Sequence, residues 1–227
     1  ALADAVQSLL IKGSIKEKKT ALKQEDFDDK EEILYKPNAE QSHAVSKILE
    51  EVKNQRFSSF LLHGVTGSGK TLVYLRAIEK TIAMDKKGMV LVPEIALTYG
   101  LGRYLSERFG DRVAIMHSRL SEGERCEQWK RIRDGSIDIV VGARSSLFTP
   151  LSNIGIIIVD EEHDTSYKQE EGVRYNARDI SMMMAKMLNI VGVLGSATPS
   201  VETFHNANSG KTSLLTLSRR VLDRPMP

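Results

Sequence analysis

The sequence has a single cysteine, Cys126, among 227 residues. No disulfide can close within the chain, and no cysteine zinc cluster can be built from it. No apolar run approaches the ~20 residues of a membrane-spanning helix, and no signal-peptide pattern opens the chain. A cytoplasmic location with no membrane partner is the default expectation. Charge of one sign is lacking too: 32 Lys and Arg face 30 Asp and Glu, leaving a net charge of +2. That balance excludes a global basic field, so any nucleic-acid binding must come from a local patch. Internal repeats and low-complexity tracts are absent. The chain begins without methionine and ends on "DRPMP", which reads as a fragment.

What is present is an ordinary soluble composition, 41% hydrophobic and 27% charged, enough for a sizeable core. Leu2, Val6, Leu9 and Leu10 recur at helical spacing before Gly13. A densely charged stretch of mixed sign then runs from Lys16 to Lys36. Residues 1–36 therefore read as the tail of an upstream region followed by a charged linker. After Pro37 the pattern changes. Asn38 can cap a helix whose apolar face is Val45, Ile48, Leu49 and Val52. Strand-like runs follow at Phe57–His63, Met89–Pro93, Val113–His117, Ile137–Val141, Ile154–Asp160 and Ile190–Leu194. Helical candidates lie between and after them, near Lys70–Met84, Ile95–Phe109, Ser121–Arg133, Ala177–Leu188 and Pro199–Ala207. "IGIIIVD" does not alternate polar with apolar residues, as expected of a strand covered on both faces. Strands separated by helices imply right-handed crossovers. The expectation is one three-layer α/β domain with a mainly parallel sheet over residues 37–220, with 221–227 starting a connection onward.

Gly64-Val65-Thr66-Gly67-Ser68-Gly69-Lys70-Thr71 fits G-x-x-x-x-G-K-[ST] after a strand and before a helix. Glycines let backbone N–H groups approach phosphates closely, and the helix that follows presents its positive end to the same anion. Lys70 should reach the β- and γ-phosphates and Thr71 should bind Mg²⁺. "IIIVDEEH" brings Asp160 and Glu161 to a strand's C-terminal end. There Asp160 can hold the magnesium shell while Glu161 orients and deprotonates a water. A base beside the metal ligand favours hydrolysis of ATP over transfer to another acceptor. Gln41 could read adenine through its amide, although an isolated glutamine carries little weight.

"GVTGSGKT", "DEEH" and "GSATPS" together resemble the superfamily-2 helicases, whose first RecA-like lobe carries them in this order. "LVPEIALT", "HSRLSEGER", "VVGARSSLF", "DEEHDTSYKQEEGVRYNARD" and "LGSATPSVET" narrow the likeness to the bacterial primosomal replication-restart helicases, over about residues 37–220. The resemblance implies that Gln41 reads adenine, that Gly67, Gly69, Lys70 and Thr71 hold the nucleotide, and that Asp160 and Glu161 are the magnesium and catalytic positions. It implies that His163, Ser196 and Thr198 couple nucleotide state to DNA, although both hydroxyls can also serve as a helix cap before Pro199 and Ser200. Pro93, Glu94 and Thr98, and likewise Arg144 and Ser145, follow strands and so belong to the active edge of the sheet. Arg144 and Ser145 could hold DNA phosphates. Between His163 and Asp179 an aromatic-rich loop carries Tyr167, Lys168, Arg174, Tyr175 and Arg178, residues suited to stack unpaired bases and meet phosphate. The other reading of that loop is a solvated basic segment with two core tyrosines.

The chain departs from the family at Leu72, at Tyr99 and Gly100, and at Val173 and Asn176. In the family, ATP is cleaved between two lobes, and the second supplies an arginine worth ~10³–10⁵ in rate. This chain therefore reads as a single helicase lobe that binds ATP and Mg²⁺ but hydrolyses weakly and does not unwind alone. The resemblance further implies zinc elsewhere in the full-length protein and partners comprising single-stranded and forked DNA, primosome proteins, single-stranded-DNA-binding protein and the second lobe in cis. Two other readings are a small-molecule kinase using the same phosphate loop and a non-catalytic docking module.

Overall fold

Asn38 opens the first helix of the computed structural model, which describes residues 36–93 and 101–220. In α1 (Ala39–Asn54) the Asn38 side chain accepts the Gln41 N–H, while the Gln41 side chain accepts the Asn38 N–H. This reciprocal cap satisfies two donors that the first turn would leave unpaired. Val45, Ile48, Leu49 and Val52 are buried along one face, as their spacing requires.

The chain continues through β1 (Ser58–Gly64), α2 (Lys70–Ile82), β2 (Lys87–Leu91), α3 (Leu101–Phe109), β3 (Val113–Met116), α4 (Glu122–Arg133) and β4 (Ile139–Gly142). It then forms β5 (Ile154–Val159), the two-residue strands β6 (Lys168–Gln169) and β7 (Tyr175–Asn176), α5 (Ala177–Met187), β8 (Val191–Ser196), α6 (Val201–Asn208) and β9 (Ser213–Leu217). Seven strands make one sheet in the order β3-β4-β2-β5-β8-β1-β9, and every pairing is parallel. All residues of β5 and β8 are buried, so helices cover both faces of the sheet's centre. This is the three-layer RecA-like α/β arrangement.

The six expected strands are present with ends displaced by a residue or two. Two features were not anticipated. β9 is an edge strand with only Leu215 and Leu217 buried, so it lacks the continuous apolar run that marks its neighbours. β6 and β7 pair antiparallel over two residues each, too short for any periodicity. The final helix starts at Val201 rather than Pro199 because Ser200 caps it, accepting from the Thr203 N–H. Residues 1–35, 94–100 and 221–227 lie outside the described residues. With them lie the proposed N-terminal tail and linker, the onward connection, Glu94, Thr98, and the expected helix start at Ile95.

Parallel pairing sends all the C-terminal strand ends to one edge. Leu91 and Val159 are partners, Val159 pairs with Leu194, and His63 pairs with Ser196. The phosphate loop after β1, the acids after β5 and the "SATPS" turn after β8 therefore emerge side by side.

Candidate active site

The phosphate loop turns on Gly67 and Gly69, at φ 77° and 81°, a left-handed backbone that side chains with a Cβ resist. Gly64 is needed for a different reason: a Cβ there would lie 2.4 Å from Ser68 Oγ and 2.9 Å from Leu217 Cβ. Val65, Thr66 and Gly67 are exposed, whereas Ser68, Gly69 and Lys70 are buried and Thr71 is half-buried. Lys70 Nζ donates to Gly64 O at 3.1 Å and lies 3.6 Å from Glu161 Oε1. Ser68 Oγ is buried without a partner among the described residues. A glycine cradle, an orphaned hydroxyl and a lysine folded over the loop together fit the phosphates of a nucleotide.

Gln41 is buried at the base of this loop. Its Nε2 donates to Ser68 O at 2.9 Å and its Oε1 accepts Asn38 N–H at 2.9 Å. The amide thus ties α1 to the phosphate loop.

The acids follow β5. Tyr74, one turn into α2 from Lys70, donates its hydroxyl to Asp160 Oδ1 at 3.0 Å, and Tyr167 donates to Asp160 O at 2.6 Å. Burial, and then the neighbouring Glu161 charge, push the Asp160 carboxyl up to about 6; the Tyr74 hydrogen bond and Lys70 act against them. Glu161 holds a φ of 43°, unusual for a residue with a side chain. Its carboxylate faces Lys70 on one side, with Oε2 3.7 Å from His163 Nδ1 on the other. His163 Nδ1 meets Ser196 Oγ at 2.8 Å and Nε2 meets Thr198 Oγ1 at 3.3 Å, while Thr198 N donates to Ser196 Oγ at 3.0 Å. The three expected coupling residues are therefore in contact. Among the described residues no three His, Cys, Asp or Glu side chains gather into a metal cage. Thr71 and Asp160 are hard oxygen ligands of the kind that hold Mg²⁺ together with phosphate and water.

On the far side of the acids, β6 and β7 form a hairpin. Lys168, Arg174 and Tyr175 line a hollow of about 560 Å³ with Gln169, Glu170 and Asn176. Ser145 is exposed on the 3-10 turn Arg144–Phe148. Two expectations for a DNA surface are corrected. Tyr167 is 1% exposed and its hydroxyl is committed to Asp160, so it is one of the core tyrosines and not a stacking platform. Arg178 is held by Glu162 at 3.2 Å and Asp179 at 2.8 Å, with its side chain 14% exposed; its charge is already paired. Arg144 is half-buried, donating to Ser166 O at 3.2 Å and Lys168 O at 2.6 Å. Both bonds brace the backbone where it enters β6.

The model of the DEAD/DEAH box helicase family matches residues 38–207. The chain belongs to that family. Replication restart protein PriA of Bacillus subtilis (strain 168) is 44% identical over 225 residues, covering 98% of this chain and 28% of that protein. PriA of Chlamydia pneumoniae is 46% identical over 182 residues, covering 80% of this chain and 24% of that protein. The chain spans about a quarter of the length of these curated relatives. Among solved structures, RecG bound to a three-way DNA junction aligns with a TM-score of 0.62 at 22% identity, over 85% of this chain and 25% of that one. At that identity the likeness concerns the fold.

Within this DEAD/DEAH box helicase lobe the structure adds a residue that sequence reasoning passed over. Phe148 is 51% exposed and meets Tyr175 edge-on, ring centroids 5.3 Å apart. It closes the quoted segment "VVGARSSLF", and an aromatic residue directly after the polar "RSS" stretch was the available signal.

The Asp160 carboxyl gives a pH prediction. With Asp160 as the proposed magnesium ligand, a magnesium–nucleotide complex would need the carboxylate, and its affinity should fall about tenfold per unit below pH about 6. The nucleotide's own phosphate titrates nearby, so the decisive quantity is the displacement between variants. Tyr74→Phe removes a bond that favours the charged form, and the midpoint should move upward. Fluorescent-nucleotide titrations from pH 5 to 8 measure it; an unmoved or lowered midpoint refutes the role of Tyr74. Folding linkage has a defined sign as well. The fold holds this proton more tightly than the unfolded chain, so acidification from about 6 toward 3.8 adds stability from this group.

Proposed function

We propose that this chain is the ATP-binding lobe of a bacterial ATP-dependent DNA helicase or translocase that unwinds DNA at stalled forks and restarts replication. The observation that carries this reading is Glu161. Its carboxylate lies 3.6 Å from Lys70 Nζ of the phosphate loop, beside Asp160, and on the same segment as the His163–Ser196–Thr198 contacts. A base so placed can take a proton from an attacking water. The histidine link gives any rearrangement of the acids a route into the turn after β8.

In this reading Gly64, Thr66, Gly67, Ser68, Gly69, Lys70 and Thr71 hold the nucleotide, and Gln41, whose amide ties the loop to α1, is the adenine-reading residue of the family's motif. Mg²⁺, when bound by Thr71 and Asp160, neutralises phosphate charge. Lys168, Arg174, Tyr175 and Ser145 offer cations, an aromatic face and a hydroxyl to single-stranded DNA. The name of the relatives, "Replication restart protein PriA", supports the replication context. Forked DNA, primosome proteins and single-stranded-DNA-binding protein are the partners proposed for the full-length protein, with zinc outside this lobe and the cytoplasm as its compartment. No described helix is long and apolar enough to cross a membrane.

The test is ATP hydrolysis by the full-length protein with and without single-stranded or forked DNA. Stimulation of at least about tenfold is expected, with free phosphate as product. The isolated 227-residue chain should bind nucleotide and turn over at under a hundredth of the stimulated rate, since a second-lobe arginine is worth ~10³ or more. Full-length protein that ignores DNA, or that phosphorylates an acceptor other than water, would overturn the proposal.

A further inference from the structure

Glu162 has no role in the chemistry described so far, yet it is the most deeply held of the three acids. Its side chain is 0% exposed. Four donors converge on it. Ser200 N–H reaches Oε1 at 2.6 Å, while Thr203 Oγ1 at 2.9 Å, Ser200 Oγ at 3.1 Å and Arg178 Nη1 at 3.2 Å surround Oε2. Arg178 Nη1 also donates to Ser200 Oγ at 2.8 Å. A buried carboxylate is costly unless paired and hydrogen-bonded, and this one is both.

The position of this cluster in the chain gives it meaning. Immediately before it, Glu161 has a φ of 43°. A non-glycine residue keeps such a backbone only where its surroundings over-determine it. Glu161 is fixed from both sides. Asp160 is held by Tyr74 and Tyr167, and Glu162 is anchored by its four donors and by its N–H on Gly195 O at 3.0 Å. With both neighbours pinned inward, the intervening carboxylate is turned out toward Lys70. The anchors also straddle the hairpin: Tyr167 precedes β6 and Arg178 follows β7.

We propose that Glu162 is a positioning residue that sets the strained backbone of Glu161, with Arg178 as its buried counter-charge, so that the hairpin grips the acidic segment at both of its feet. The inference rests on the hydrolysis reading above. It deepens that reading by assigning Arg178 to the aim of the base, whereas a DNA ligand would act through affinity.

The experiment is steady-state ATPase of the full-length protein at varied single-stranded DNA, with fluorescent-ADP binding measured alongside. In Glu162→Gln an amide NH₂ must oppose either Ser200 N–H or the donors at Oε2, so one donor pair is forced together. Expected is a kcat 10–100-fold lower, with ADP affinity within about threefold of wild type. Thr203→Val removes one donor without changing shape or charge, and should lower kcat about three- to tenfold. Arg178→Gln should lower kcat at saturating DNA while the DNA concentration for half-maximal rate stays within about twofold. Combined with Glu162→Gln it should add little, because the two act as one unit. The proposal is overturned if Glu162→Gln keeps a wild-type kcat. It is equally overturned if Arg178→Gln raises the DNA requirement at unchanged kcat, or if Thr203→Val loses ADP affinity in step with kcat. Wild-type protein without any ATPase would instead overturn the hydrolysis reading, and this inference with it.

Discussion

Glu161→Gln should abolish hydrolysis and leave nucleotide binding intact. In the full-length protein the DNA-stimulated kcat is expected to fall ~10²–10⁴-fold, the usual contribution of a positioned general base. The substitution preserves size and shape, but it exchanges one acceptor oxygen for an NH₂ donor and cannot take a proton. Lys70, Thr71 and Asp160 remain, so the contacts proposed for the phosphates and magnesium persist. Loss of a negative charge 3.6 Å from Lys70 Nζ frees that lysine for the nucleotide, and ADP affinity should hold or rise a few-fold. A second, independent signature follows. The Glu161 charge is, after burial, the leading cause that raises the Asp160 carboxyl. Neutralising it should lower the midpoint of magnesium–nucleotide binding, the opposite of Tyr74→Phe. A Glu161→Gln protein retaining more than about a tenth of wild-type kcat would remove Glu161 from the role of base.

The part of this site legible in the sequence is the part whose residue types are dictated by backbone geometry or local spacing. Gly67 and Gly69 announce a left-handed turn, and Lys70 with Thr71 completes the phosphate-loop pattern. Asn38 and Gln41, three apart, announce a cap. Buried parallel strands such as β5 read directly as unbroken apolar runs. What was illegible depends on partners distant in sequence. Tyr167 and Arg178 are the same kinds of residue that stack on bases and meet phosphates. Only the approach of Asp160 O to one and Glu162 to the other shows that they are used internally. Glu162 itself looked like one more acid in a row, and its four donors come from residues 16 to 41 positions away. β9 was missed because an edge strand needs burial on one face only.

Gly195→Ala should strongly destabilise the domain. A Cβ at Gly195 would sit 1.6 Å from the Tyr74 hydroxyl and 2.7 Å from its Cζ. Tyr74 is fully buried on α2, so the ring has no open space to enter and must shift away from Asp160. Overpacking costs typically 1–3 kcal/mol, and the lost hydrogen bond adds about 1 kcal/mol. Together these give about 2–4 kcal/mol and a melting temperature about 5–15 °C lower for a domain of this size. Asp160 also loses the donor that favours its charged form, so magnesium–nucleotide affinity should weaken most near pH 6. Gly192→Ala is the matched control on the same strand. Its Cβ meets Met182 Cε at 2.7 Å and Sδ at 2.8 Å, the far end of a flexible, half-buried side chain that can swing aside at a cost of about 1 kcal/mol or less. Tyr74→Leu removes the ring atoms in conflict, and adding Gly195→Ala to it should then cost little, a coupling of at least about 1 kcal/mol between the two sites. Thermal melts of the four variants decide the matter. If Gly195→Ala melts within about 2 °C of wild type, the close approach of the β8 backbone to Tyr74 is not what holds Asp160 in place.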